Sequence, residues 1–405
     1  MKAYAVIGAG FGDEGKGLVT DHLVARLGAD TLVVRFNGGA QAGHTVTLPD
    51  GRRHVFSHFG SGSLLGAPTF LSRFFIANPT LFAAERQRLT ALSIAPAVLI
   101  DPRCVVTTPY DMVLNQAMER PRSGSRHGSC GVGIGETVER SLHPGFRLTV
   151  ADLADEARVR NRLEAIRRNW VPARLATLRQ VMPAADLGAD REVAAFLASD
   201  LVVERTMADI AEFLRHVSVA AEPPGLSGRP LVLEGAQGLL LDQDLGWFPH
   251  VTRSHTGLRN VAALARDWRL RSIEPIYVSR VYATRHGAGP LPHETAGIPG
   301  LRFEDRTNVP HPYQGAIRLA PLDLDLVADV VRRDRLLASL PSGVAVTPRL
   351  VVTCVDQLDR PIPHVDRGEI VEAGPETVAR RLADRVGTGL LAIGAGPTWA
   401  TMTLA

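Results

Sequence analysis

Gly10, Gly15 and Lys16 have the spacing G-x-x-x-x-G-K within "GFGDEGKG" (10 to 17), in which backbone N–H groups cradle phosphates and the lysine neutralises their charge. Gly17 stands where Ser or Thr ordinarily brings a hydroxyl to Mg²⁺, so a metal there needs another oxygen. Asp13 is suited to supply it, because a carboxylate beside phosphates is repelled unless a metal or a proton lies between them. It is equally suited to take a proton from a substrate held against the loop. Lys2 and Lys16 are the only lysines, all other Lys/Arg positions being Arg, and one of the two closes the glycine loop. A compact ammonium has a use there that Arg's planar fork fills badly.

Three further stretches carry candidate chemistry. "RFNGGAQAGHTV" (35 to 46) follows a strand-like run and places His44 where α/β proteins hold their ligands. "LEGAQGLLLDQDLGWFPHVT" (233 to 252) sets Gln237 among close-approach glycines; Glu234 and Gln237 suit either a ligand contact or a turn. In "VVTCVDQLD" (351 to 359), Asp356 lies just past a strand end. It is suited to accept the N1–H and 2-amino protons of guanine, or to serve as a helix N-cap or surface acid.

The elements that must position these groups are those of an α/β protein. Residues 3–9 and 30–36 read as buried strands with an amphipathic helix between them. Further strand-like runs lie at 97–101, 230–236, 274–284 and 349–356. Continuous apolar runs separated by helical segments predict a P-loop-like, mostly parallel central sheet flanked by helices. Residues 150–222 read as an inserted helical layer, and the Gly/Pro/Ser-rich stretches 120–135 and 286–300 as long active-site loops. The 405 residues fit either two domains or one large unit with insertions.

Composition excludes several function classes. With 45% hydrophobic and 21% charged residues the chain has ample core. A net charge of +3 with spread basic residues offers no nucleic-acid surface, though it suits a small anionic ligand. Cys104, Cys130 and Cys354 form no C-x-x-C pair, which argues against a zinc or disulfide framework and for a reducing cytoplasm. Neither a leader nor an apolar run of about 18 residues is visible, so no membrane partner is expected.

Taken in order, "GDEGKG" (12 to 17), "GGAQAGHT" (38 to 45), "GSCGVGIG" (128 to 135), "EGAQGLLLDQDLG" (234 to 246), "VTRSHT" (251 to 256), "TRHGAGPLPHE" (284 to 294), "TCVD" (353 to 356) and "GAGP" (394 to 397) resemble the adenylosuccinate synthetases, GTP-dependent ligases that join aspartate to IMP. The resemblance implies a single domain over residues 1–405 with the helical insertion, and a homodimer. It implies Asp13 as base and Mg²⁺ ligand, the Gly43 carbonyl on the same metal, His44 as acid, Lys16 on phosphate charge and Gln237 in catalysis. GTP would be met by Gly12, Gly15, Lys16, Gly17, Thr45, Arg318, Asp356 and Gly396. The acceptor would be met by Asp13, Gln41, Gly43, His44, Cys130, Gln237 and Thr252. Catalysis of this kind is mostly positioning and charge stabilisation.

The departures fall on recognition. Where the family's aspartate loop carries Thr-Thr-Gly and consecutive arginines, "HPYQGAIRLAPLD" (311 to 323) holds Arg318 alone, and a dicarboxylate requires an Arg cluster. Cys130 and Val132 stand for a phosphate-binding Thr and an Arg, Gln41 for an Asn, and Cys354 for the Lys of T-K-x-D; no Arg aligns with the family's cross-subunit Arg around "SLHPG" (141 to 145). The reading is a GTP-dependent ligase that phosphorylates a carbonyl oxygen of 6-oxopurine type and lets an amine displace the phosphate, with a non-standard acceptor and amine. An ordinary adenylosuccinate synthetase, a nucleotide-binding regulator without turnover, and ATP in place of GTP are the alternatives.

Overall fold

The apolar run before the glycine loop forms the strand Lys2–Gly8, and the loop opens directly into the helix Lys16–Leu27, which Gly28 ends at φ 97°. A computed structural model describes residues 2–119, 130–181, 191–226, 228–303, 305, 307 and 315–405. Lys2–Gly8 sits in the middle of the main sheet. Its neighbours are Leu231–Gly238 on one side and Ser272–Arg280 on the other, both parallel. Beyond Leu231–Gly238 come Leu32–Arg35, Thr69–Leu71, Val98–Ile100 and Ser218–Val219; beyond Ser272–Arg280 come Arg349–Thr353, Gly389–Gly394 and Met402–Leu404. Along this path only the last pair is antiparallel. The expected mostly parallel sheet flanked by helices is therefore present.

Chain order reverses across the centre, since the strands following Lys2–Gly8 are laid down on both sides of it. In such sheets ligands lie beyond the carboxyl ends of the strands at the reversal, where the glycine loop stands. The core divides between the faces. Ile7, Leu233, Tyr277 and Leu350 pack with the helices Leu258–Asp267, Leu324–Leu337 and Pro375–Val386, while Val6, Val232, Ile276 and Val351 pack with Val19 and Leu23 of the loop helix. Strand residues alternate between two covered faces, which is why their sequence reads as unbroken apolar runs.

The insertion is helical as expected, with Glu156–Ala165, Val171–Val181, Arg191–Ala198 and Asp200–Arg215, although the short strand Ser218–Val219 follows within its bounds. Three sequence expectations need correction. The run 274–284 is two strands, Ser272–Arg280 and Ala283–His286, in different sheets. The run 349–356 stops at Thr353, where Cys354 takes φ 63° and starts a single turn, Val355–Gln357. The loop expected over 120–135 includes the start of a helix, Ile134–Ser141, which Gly133 begins at φ 83°. Residues 120–129, including "GS" of "GSCGVGIG", and 308–314, including "HPYQ", lie outside the described residues.

Candidate active site

The two carboxylates of the glycine loop have different tasks. Glu14 turns inward: its Oε1 accepts the Gly10 and Gly12 N–H groups at 3.0 and 2.8 Å, and its Oε2 meets Lys16 Nζ at 2.5 Å. Both residues are 3% exposed, so this pair is part of the loop's frame. Gly12, Asp13 and Gly15 take φ values of 93°, 62° and 94°; glycine adopts that conformation freely and aspartate at a cost. The Asp13 carbonyl accepts a hydrogen bond from Arg280 Nε, and Arg280 also reaches the Tyr282 hydroxyl at 3.2 Å and Asp305 at 3.4 Å. The strained turn is thus held by a buried guanidinium.

With the Gly10 and Gly12 donors taken by Glu14, the donors left open fall at the helix start. Gly15 caps Lys16–Leu27 without a side-chain bond, leaving first-turn N–H groups and the positive helix end for an anion. The absence of Ser or Thr at position 17 has a steric reason. A Cβ on Gly17 would lie 3.0 Å from His44 Cβ, 3.1 Å from Ser61 Oγ and 3.2 Å from the Thr45 carbonyl.

His44 begins the strand His44–Thr47 and is 7% exposed. Its Nδ1 is 2.6 Å from Oε1 of Glu234, a fully buried carboxylate that also accepts the Ser61 N–H at 3.1 Å and the Ser61 hydroxyl. Burial lowers the imidazole's pKa against the pull of Glu234. Burial works to raise Glu234, but His44 and Arg35 outweigh it and hold the carboxyl below its usual value. The resting pair is an ionised glutamate holding a neutral histidine, with Nδ1–H donating and Nε2 left for the site.

Gln237, at φ 58°, is the last residue but one of the strand Leu231–Gly238, and its Oε1 accepts from Gln41 Nε2 at 3.4 Å. Asn37 fixes this approach by bonding both the carbonyl and the N–H of Ala236, at 3.0 and 2.7 Å. Asp13, Lys16, His44, Gln41 and Gln237 therefore stand on the ends of three adjacent strands and the loops leaving them. The strand Arg349–Thr353 is tied to the same loop, since the Thr353 hydroxyl donates to the Glu14 carbonyl at 2.7 Å. Asp356 lies exposed in the turn beyond it, and Gly396, at φ 154°, lies in the loop after the adjacent strand Gly389–Gly394.

Other candidates are placed less directly. Gly43 is exposed, and among the described residues no group donates to its carbonyl. Its carbonyl and the Asp13 carboxylate are both oxygen donors, the kind Mg²⁺ takes. Thr45 Oγ1 is 2.6 Å from Thr307 Oγ1. Thr252 is half-buried, its N–H on the Leu241 carbonyl. Cys130 precedes a segment whose Gly133 N–H is given to Asn115 Oδ1 at 3.3 Å, and burial pushes its thiol up to about 11. Arg318 does not face the glycine loop as a free cation: it bonds Glu294 and the carbonyls of Gly287 and Gly289 at 2.6, 2.9 and 2.6 Å. Sequence reading missed Ser61, Arg35 and Arg280 and left Glu234 between two roles. A glutamate inside the apolar run "LVLEGA" was the available signal.

The fold and site define a class, the α/β proteins that hold nucleotide phosphates at a glycine loop beyond the sheet's carboxyl edge. Within it, a model described as adenylosuccinate synthetase matches residues 5–309. The chain belongs to the adenylosuccinate synthetase family. An adenylosuccinate synthetase of Synechococcus sp. (strain WH7803) is 35% identical over 306 residues, covering 73% of this chain and 65% of that protein. One from Nitratidesulfovibrio vulgaris is 30% identical over 387 residues, covering 93% and 85%. The fold matches the fully ligated enzyme from Plasmodium falciparum with a TM-score of 0.69 at 17% identity, over 100% of this chain and 99% of that one. It also matches the cyanophage S-2L succinoaminodeoxyadenylate synthetase, PurZ, bound to dGMP and dATP as an energy donor, with a TM-score of 0.57 at 13% identity over 100% and 95%.

Proposed function

We propose that the protein is a GTP-dependent ligase that activates the carbonyl oxygen of a 6-oxopurine-like acceptor and joins an amine at that carbon. The observation that carries this is the buried Ser61–Glu234–His44 chain ending beside the Asp13 loop, because a protein that only bound nucleotide would need neither a base nor an oriented imidazole. In the first step Asp13 takes the proton of the lactam N–H, the carbonyl oxygen attacks the γ-phosphorus, and GDP leaves. In the second the amine nitrogen attacks the activated carbon, the C–N bond forms, the C–O bond breaks, inorganic phosphate departs and the nitrogen gives up a proton. His44 Nε2, with Nδ1 anchored, is placed to donate to the oxygen and the phosphoryl group it receives. Lys16 and the open helix end offset phosphate charge. The Asp13 carboxylate and the Gly43 carbonyl would hold Mg²⁺, whose charge would offset that of the phosphates.

The acceptor and amine depart from IMP and L-aspartate in this reading. Arg318 is spent on carbonyls and Glu294, Cys130 brings no hydroxyl, the Gly133 N–H is taken by Asn115, and Gln41 turns to Gln237. A 5′-phosphate and a second carboxylate both lose contacts they need. Asp356 would read guanine, and ATP as donor is the variant reading given the exposed turn and Cys354. We further read residues 1–405 as one domain acting as a cytoplasmic homodimer. The test is Mg²⁺-dependent phosphate release with GTP or ATP across inosine, IMP, dGMP and simple lactams, each with and without amines. Turnover confined to IMP with aspartate would return the ordinary assignment, which the curated relatives' names favour.

A further inference from the structure

The carbonyls of Asp13 and Glu14, consecutive residues of the glycine loop, are held by two residues that stand side by side in the main sheet. Arg280 Nε donates to the Asp13 carbonyl, and the Thr353 hydroxyl donates to the Glu14 carbonyl at 2.7 Å. Arg280 and Thr353 are register partners at the carboxyl ends of the parallel strands Ser272–Arg280 and Arg349–Thr353. Both are buried. A Cβ on Gly15 would lie 3.2 Å from Thr353 Cγ2, so the loop is drawn closely onto these two strand ends.

Both holding residues lead to the turn Val355–Gln357, which carries Asp356. Thr353 is joined to it through Cys354, the residue at φ 63° that starts the turn. Arg280 is joined to it through Tyr282: Arg280 Nη1 donates to the Tyr282 hydroxyl at 3.2 Å, and that buried hydroxyl donates to Gln357 Oε1. The Val281 N–H adds a backbone tie to the Thr353 carbonyl at 3.1 Å. Arg280 Nη2 reaches Asp305 at 3.4 Å, so the guanidinium is fixed on three sides. Asp13 itself sits at φ 62°, which a residue other than glycine keeps only where its surroundings impose it. The peptide that Arg280 holds begins at the Asp13 Cα, so a shift of the guanidinium moves the carboxylate with it.

Resting on the ligase reading above, with Asp13 as base and the Asp356 turn on the nucleotide's base, we infer that Arg280 and Thr353 are positioning residues that couple the two: contact of the turn with the base of the phosphoryl donor sets where the Asp13 carboxylate stands. Gln357 adjoins Asp356, so a purine seated on Asp356 bears directly on the Gln357–Tyr282–Arg280 chain. A donor with the wrong base still binds through its phosphates at the glycine loop and leaves the carboxylate displaced. A displacement of about 1 Å at a reacting group costs on the order of 10²-fold in rate. Base selectivity therefore belongs in kcat as well as in nucleotide affinity.

The experiment measures kcat at saturating GTP and at saturating ATP with Mg²⁺, using inosine, IMP and dGMP as acceptor probes and L-aspartate and hydroxylamine as amines, with Kd for both nucleotides from titration calorimetry. In the unsubstituted protein kcat with GTP is expected to exceed kcat with ATP by about tenfold or more. Tyr282→Phe keeps the ring against Phe303 and removes only the hydroxyl, and Thr353→Val exchanges a hydroxyl for a methyl. In each variant the ratio of the two kcat values is expected to fall to about threefold or less, with Kd for GTP within about threefold of its original value. A purely structural role would lower kcat with both nucleotides alike; a ratio left unchanged in both variants refutes the coupling. Equal kcat values in the unsubstituted protein, with selectivity confined to Kd, also refute it, and in both cases the ligase stands. If no acceptor and amine support turnover, the ligase reading falls and the coupling with it.

Discussion

The Asp13–His44 side of the site and the loop side that would recognise substrates are built differently. On the first side the buried groups are tied to partners: Glu14 to Lys16, Glu234 to His44 and Ser61, and Arg280 to the Asp13 carbonyl. On the second, Arg318 is committed to Glu294 and to the carbonyls of Gly287 and Gly289. Activation of a carbonyl needs one geometry whatever the acceptor carries, whereas recognition follows the ligand. On the proposed reading, divergence on one side with retention on the other bears on substrate and not on reaction type.

The sharpest way to break this comparison is Asp13→Asn. Loss of the base is expected to lower kcat by about 10³-fold, while nucleotide affinity, followed by titration calorimetry, weakens by less than about tenfold. Equal losses in both would make Asp13 a nucleotide ligand and nothing more. Glu234→Gln should follow, with about a 10²-fold fall in kcat and KM within about threefold, because His44 loses its orienting carboxylate; unchanged kcat would remove the histidine from the chemistry.

A pH measurement sharpens the same side. Asp21, on the helix Lys16–Leu27, is buried with neither carboxyl oxygen hydrogen-bonded. Burial, and then Glu234, raise it from 3.8 to about 7. The folded state therefore binds a proton that the unfolded chain releases near pH 4. Stability falls as pH rises from about 4 to 7 and is level above that. Asp21→Asn should remove that slope and stabilise the protein at pH 8 by about 2–4 kcal/mol, read from urea unfolding at several pH values. A parallel pH dependence in both proteins would contradict it. On the recognition side the smallest effect is expected from Cys354→Lys: a few-fold gain in preference for GTP over ATP, measured as the ratio of kcat/KM values. An unchanged ratio would take the Cys354 turn out of base reading.

The strands and the glycine loop were legible because buried strands must be apolar and a tight phosphate loop must be glycine-rich, and both constraints write themselves into neighbouring residues. His44 was legible from its place after a strand. Its partnership with Glu234 was not, since 190 residues separate them and only the pairing of Leu231–Gly238 with the strands around it brings them together. Arg280 reads locally as the end of a strand; that it holds the Asp13 turn is a tertiary fact. The commitment of Arg318 was equally hidden, because an arginine near a glycine-rich loop looks the same in sequence whether it waits for a ligand or holds the loop's own carbonyls.

The central claim is that this chain phosphorylates the carbonyl oxygen of an acceptor. It is tested most directly by supplying inosine and IMP labelled with ¹⁸O at the 6-oxygen, with GTP, Mg²⁺ and an amine, and weighing the released phosphate by mass spectrometry. The account predicts that one ¹⁸O atom moves into inorganic phosphate for each C–N bond formed. Phosphate released without label, its added oxygen coming from water, would contradict it and leave a nucleotide hydrolase.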